Sequence, residues 1–157
     1  MSSNSNQGFN RVVRINNSDF FNHLKTYLDE GKKIVFTVSG NSMYPFIKNG
    51  DKVLLKSIEL DDIKKGRIVL ACTNGQFFLH RIVAIHASKI ILAGDGNLVQ
   101  HEVVEIKEIW AIAVEVIYRN WVRNVQSPSL IFFSRVWYRI RPIRLLIFKL
   151  RSLLRIK

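Results

Sequence analysis

The sequence predicts a mainly β protein: a compact antiparallel domain over residues 33–118, one short helix before it and a basic amphipathic helix after it. Three observations carry this reading. Short runs rich in β-branched and aromatic residues follow one another from Lys33 to Tyr118. Residues with turn chemistry separate them, Asn74-Gly75 above all, the strongest short hairpin signal a sequence offers. From about Pro128 the spacing of apolar residues becomes helical and the charge turns wholly positive.

In residues 1–32, Asn17-Ser18-Asp19 offers helix caps, and Phe20, Leu24, Tyr27 and Leu28 recur on one helical face before Gly31 closes the segment. One short amphipathic helix is expected there, behind a polar leader. Strands are expected at Ile34–Val38, Lys52–Ser57, Arg67–Thr73, Gln76–Ile85, Lys89–Ala93 and Ile109–Tyr118. Asn49-Gly50-Asp51 and Lys65-Gly66 supply further breaks. In the last segment, residues 119–157, Pro142 reads as a helix-starting residue. Ile143, Leu146, Ile147, Leu150, Leu153 and Leu154 then line one face, with Arg144, Arg151 and Arg155 opposite.

Composition narrows the class. Apolar residues fill 48% of the 157 positions, too many for a disordered chain, and the length suits one domain with appendages. The net charge of +12 is uneven: residues 1–118 hold fourteen Lys/Arg against twelve Asp/Glu, whereas residues 119–157 hold ten Lys/Arg and no acid. Such a tail seeks a polyanion. Cations interrupt it too often for a bilayer span, but it suits an anionic membrane surface, with Trp137, Tyr138 and Phe148 as interfacial anchors. Docking on its own domain or a partner protein is the competing reading, and nucleic acid is not expected. The polar start, Met1 to Gly8, lacks the apolar core of a signal peptide, so a cytoplasmic protein at the inner membrane face is expected. The single cysteine, Cys72, lies in an apolar run and reads as a small hydrophobe. No cofactor or metal is implied, since His-x-x-x-His and paired-Cys spacings are absent.

The chemistry concentrates in Val38-Ser39-Gly40-Asn41-Ser42-Met43-Tyr44-Pro45, followed by Gly50-Asp51-Lys52-Val53-Leu54. A serine between a strand and a Pro-stiffened loop sits at a sheet edge, with a glycine upstream where another backbone can come close. By itself a serine in a turn is a turn residue. Three further blocks follow in order: Lys65-Gly66-Arg67-Ile68-Val69-Leu70, Phe78-Leu79-His80-Arg81-Ile82-Val83 and Ala93-Gly94-Asp95-Gly96-Asn97. Together the four resemble the conserved blocks of type I signal peptidases and the self-cleaving SOS-type repressors, with Arg67 where the family's second block has Asp. The base position separates two branches of that superfamily. Bacterial signal peptidases and the repressors resemble each other in using lysine there; the archaeal and endoplasmic-reticulum enzymes use histidine, and this chain has His80.

The resemblance implies a coiled antiparallel β-sheet peptidase fold and a serine endopeptidase with Ser42 as nucleophile and His80 as general base. Histidine can take a hydroxyl proton near neutral pH without the burial a lysine base requires. Asp95 is the carboxylate expected to orient the imidazole, with a turn-fixing role as its alternative; Glu102 is the next acid along. Gly40, Asn41 and Met43 are the expected substrate-binding or oxyanion positions, with the Ser42 N–H as one donor. The expected partners are a peptide or protein substrate, an anionic membrane surface met by residues 128–157, and an export transporter. Because all four blocks precede Tyr118, the tail is expected to be separable from catalysis. Two other readings remain open here: a catalytically inactive membrane-associated binding module of the same fold, and a self-cleaving regulator. The second lacks room for a DNA-reading unit ahead of the β domain.

Overall fold

The computed structural model describes residues 17–154, with side chains from residue 23 onward; the polar leader and the Asn17-Ser18-Asp19 and Phe20 side chains lie outside the described set. Helix α1 (Asn17–Asp29) is followed by strands β1 (Ile34–Thr37), β2 (Lys52–Ser57), β3 (Ile68–Thr73), β4 (Gln76–His86), β5 (Lys89–Ala93), β6 (Glu102–Glu105), β7 (Ile109–Ile117) and β8 (Val122–Asn124). Helices α2 (Pro128–Arg139) and α3 (Arg141–Leu154) end the described chain. All pairings are antiparallel, in the order β1-β2-β7-β3-β4-β5-β6, with β8 beside β7.

Local chemistry explains the hairpins. Asn74 and Gly75 both adopt positive φ, 50° and 72°, which a two-residue turn between right-twisted strands requires. Register shifts in the β2/β7, β3/β7 and β4/β5 pairs bend the sheet, so it coils without closing. Coiling buries both faces of the central strand. Ile68 and Leu70 of β3 enter a core with Leu24, Leu28, Met43, Ile47, Val53 and Leu55, while Val69 and Ala71 enter a second with Ile82, Ile90, Leu92 and Ile112. Helix α1 joins the first core through Leu24 and Leu28, the periodic residues of its sequence.

Strands β6 and β8 escaped the sequence reading because each is too short to show a pattern. The C-terminal segment also differs: it forms two helices. Pro142 has no N–H to give the Tyr138 carbonyl, and Ile140 ends α2 as its C-cap. Gly66, at φ +96°, accepts α2 directly; a Cβ there would lie 2.6 Å from Ile131 Cγ2. Helix α3 is turned opposite to the usual amphipathic sense. Its expected apolar stripe faces outward, Leu146 58% and Leu153 66% exposed, while Arg141 is buried against the domain.

Candidate active site

The site forms where β4 and β5 end beside the loop that carries Ser42. The pairing of Arg81 with Ala93 makes Gly94 the next position across from His80. Having no side chain, Gly94 lets the imidazole reach beyond β5, where Nδ1 lies 2.7 Å from Glu102 Oε2 at the start of β6. Both residues are buried. Nδ1 donates this bond, which leaves the Nε2 lone pair open. A Cβ on Gly94 would lie 3.1 Å from His80 Nε2 and 2.5 Å from the Ser42 carbonyl oxygen. The open nitrogen and the serine backbone therefore border the same small space.

The Ser42 loop is held from both sides. The Tyr44 N–H donates to Asn41 O at 3.1 Å, the Ile47 N–H donates to Met43 O at 3.0 Å, and the Met43 and Ile47 side chains are buried in the first core. Between these anchors Ser42 stays partly exposed. Gly40 has φ +96° and gives its N–H to Asn49 Oδ1 at 2.9 Å; among the described residues nothing lies within 4 Å of where its Cβ would be. The space beside Gly40 is thus open to an approaching chain, and Asn41 is exposed next to it. Among the described residues no hydrogen bond engages the Ser42 N–H. Met43, by contrast, offers only its backbone to a ligand.

Asp95 sits elsewhere than the sequence suggested. Arg81 binds both of its oxygens, Nε to Oδ1 at 2.9 Å and Nη2 to Oδ2 at 2.8 Å, and gives Nη1 to Gly66 O at 2.6 Å. The cause is strand geometry. His80 and Arg81 are adjacent on β4 and point to opposite faces. Asp95 meets the Arg81 face, whereas Glu102 meets the His80 face. The run Glu102-Val103-Val104-Glu105 reads the same in both directions, so the sequence does not say which glutamate points inward; the pairing of β6 with β5 does.

Glu102 also has one oxygen to spare, since Oε1 is buried with no partner among the described residues. Cys72 takes no part: burial pushes its thiol up, away from the reactive thiolate. His23 and His86 are exposed, and His101 lies apart, with Nε2 2.8 Å from the Tyr138 hydroxyl.

Gly94 yields a direct prediction. Gly94→Ala should lower stability by about 1–3 kcal/mol, because the added methyl meets a backbone oxygen that cannot swing away. Activity should fall further than stability explains, since the methyl lands between His80 and Ser42. A melting curve and a peptide assay on the same preparation check this; an unchanged enzyme would mean the two groups do not meet over Gly94.

No curated protein matches this chain. The family model for peptidase S24-like proteins does, over residues 3–116, a stretch that holds Ser42, His80, Asp95 and Glu102 and stops short of α2 and α3. Four sequence blocks, a coiled antiparallel sheet and a match over most of the chain agree: the protein belongs to the peptidase S24-like family.

Proposed function

We propose that this protein is a serine endopeptidase that cleaves extended leader or signal-type peptides, with Ser42 as nucleophile, His80 as general base and Glu102 orienting the imidazole. The observation that carries the proposal is the buried His80–Glu102 pair, whose open nitrogen borders the Ser42 backbone above Gly94. Ser42 Oγ attacks the scissile carbonyl carbon while His80 Nε2 takes its proton. The charge on the new oxyanion is met by the Ser42 N–H, a donor worth about 3 kcal/mol when well placed. His80 returns the proton to the leaving amine, and a water attacks the acyl-enzyme by the reverse sequence. The substrate adds as an extended strand beside the Ser42 segment, on the open side of Gly40; β1, which leads into that segment, is an edge strand. Digestion of peptides with small residues before the scissile bond, read by mass spectrometry, tests this. A folded wild-type protein that cuts none of them counts against it.

The same reading puts the enzyme at an anionic membrane surface on the cytoplasmic side, with an export transporter as a candidate partner. No described helix is long and apolar enough to cross a membrane. What supports surface binding is the outward stripe of α3 together with Phe132, Phe133 and Val136 of α2, all exposed, on a segment with no acid. Leu146→Glu with Leu150→Glu should release the protein from anionic vesicles and leave cleavage of a short soluble peptide unchanged. Flotation at low and high salt measures it: binding that survives the double substitution, or equals that to neutral vesicles, argues for protein docking instead.

A further inference from the structure

We propose that helices α2 and α3 position the nucleophile loop, with Trp137 and Arg141 as the principal positioning residues. The inference rests on the peptidase reading of Ser42 but concerns residues outside the part of the chain that matches the family.

Gly94 to Asn97 lies between the Ser42 loop and the C-terminal helices, and it is bound on both sides. Its carbonyls face the helices. Trp137 Nε1 donates to Asp95 O at 2.8 Å, Arg144 Nη1 donates to the same oxygen at 3.3 Å, and Arg141 Nε donates to Asn97 O at 2.7 Å. Arg141 Nη2 also reaches Gly94 O at 3.4 Å. On the other side, the Gly96 N–H donates to Ser42 O at 2.7 Å. The Asp95 carbonyl and the Gly96 N–H belong to one peptide unit. A planar, rigid group thus has its oxygen fixed by Trp137 and Arg144 and its N–H fixed on the nucleophile's own backbone.

Packing leaves this peptide little room. A Cβ on Gly96 would lie 2.8 Å from Asn41 O and 3.2 Å from both Ser42 O and Tyr44 O, so the loop and the nucleophile turn touch backbone to backbone. The donors are themselves held. The Arg144 guanidinium lies 3.9 Å from the Trp137 ring centroid, and Arg141 stacks on Tyr138 at 4.7 Å and gives Nη1 to His101 Nε2 at 2.9 Å. Burial and the neighbouring Arg141 hold the Arg144 guanidinium below its ordinary value, yet arginine stays charged at any working pH. Two buried or half-buried arginines and an indole N–H aimed at three carbonyls of one loop are a specific arrangement. It also explains why α3 turns Arg141 and Arg144 inward and leaves Leu146, Leu150 and Leu153 outward.

The geometry makes this a matter of orientation. Misplacing a nucleophile by about 1 Å can cost on the order of 100-fold in rate. Arg141→Ala should therefore lower kcat by about 10- to 100-fold on a short soluble peptide with KM little changed, because the residue touches no substrate. Arg141→Lys should restore only part of the loss, since an ammonium cannot reproduce the planar fork on Asn97 O, Gly94 O and His101. Trp137→Phe, which keeps the ring and removes one donor, should reproduce a smaller kcat loss and serves if Arg141→Ala fails to fold.

Hydrogen exchange gives a readout independent of activity. The Gly96 and Asn97 amides should exchange at least about tenfold faster in Arg141→Ala, with β3 and β7 amides unchanged. Unchanged exchange at Gly96, or faster exchange with wild-type kcat, overturns the proposal. If the wild type cuts no peptide, the proposed function fails, and the exchange measurement still decides whether the helices hold the loop.

Discussion

Ser42→Ala is expected to abolish peptide cleavage, a loss on the order of 10⁶-fold, and to leave the melting temperature within a degree or two of wild type. The two halves of this expectation have separate causes. The hydroxyl supplies the electron pair that forms the acyl-enzyme, so no other group replaces it. The fold depends instead on the side chains that flank it, Met43 and Ile47, and on the Ser42 carbonyl, which accepts from Gly96 whatever the side chain. His80→Ala should be as severe, and the double variant no worse than either single one, because nucleophile and base act as a unit. Parallel circular-dichroism melts and product analysis are the measurement. A folded Ser42→Ala protein that still cleaves would end the serine-peptidase reading.

Much of this arrangement was legible in the sequence, and the parts that were not share a cause. Apart from β6, the strands from Ile34 to Ile117 show themselves through apolar runs and turn residues, because the hairpins are local and Asn74-Gly75 encodes its own turn. Motif order singles out Ser42 and His80, and the space between the His80 ring and the Ser42 backbone depends on Gly94, whose role the sequence does not mark. What motif order could not give was face. Asp95 and Glu102 lie within eight positions of each other, and only the pairing of β4, β5 and β6 sends one to Arg81 and the other to His80.

The C-terminal segment shows a different limit of sequence. Its leucine periodicity is real, but periodicity tells which residues share a face and not which face meets the domain. Here the domain offers a row of backbone carbonyls at Gly94, Asp95 and Asn97, so Arg141 and Arg144 dock and the leucine stripe is left outside. The segment therefore also holds the Gly94–Asn97 loop. Deleting residues 128–157 would remove the helices from the loop as well as from any membrane, which is why point changes on the outer stripe are the cleaner test of membrane binding.

Asp95→Ala and Glu102→Ala should fail in opposite ways, and the contrast decides which carboxylate orients the base. Arg81 is 2% exposed, and in Asp95→Ala its guanidinium would keep, among its present partners, the Gly66 carbonyl and the Phe46 ring but no counter-charge. Stranding a buried charge costs about 3–5 kcal/mol, so the melting temperature should fall by roughly 6–20 °C. If Asp95→Ala does not accumulate, the double variant Arg81→Met with Asp95→Leu should recover much of the stability, since a buried ion pair and an apolar pair of similar volume are often close in energy. Glu102→Ala removes a carboxylate that makes one hydrogen bond, and a neutral imidazole can remain in place without it. Its melting temperature should fall much less. Its kcat should drop on the order of 10³- to 10⁴-fold, because nothing then fixes the ring tautomer or stabilises the imidazolium. A stable, inactive Asp95→Ala beside a fully active Glu102→Ala would reverse the assignment and return Asp95 to the role its sequence position suggests.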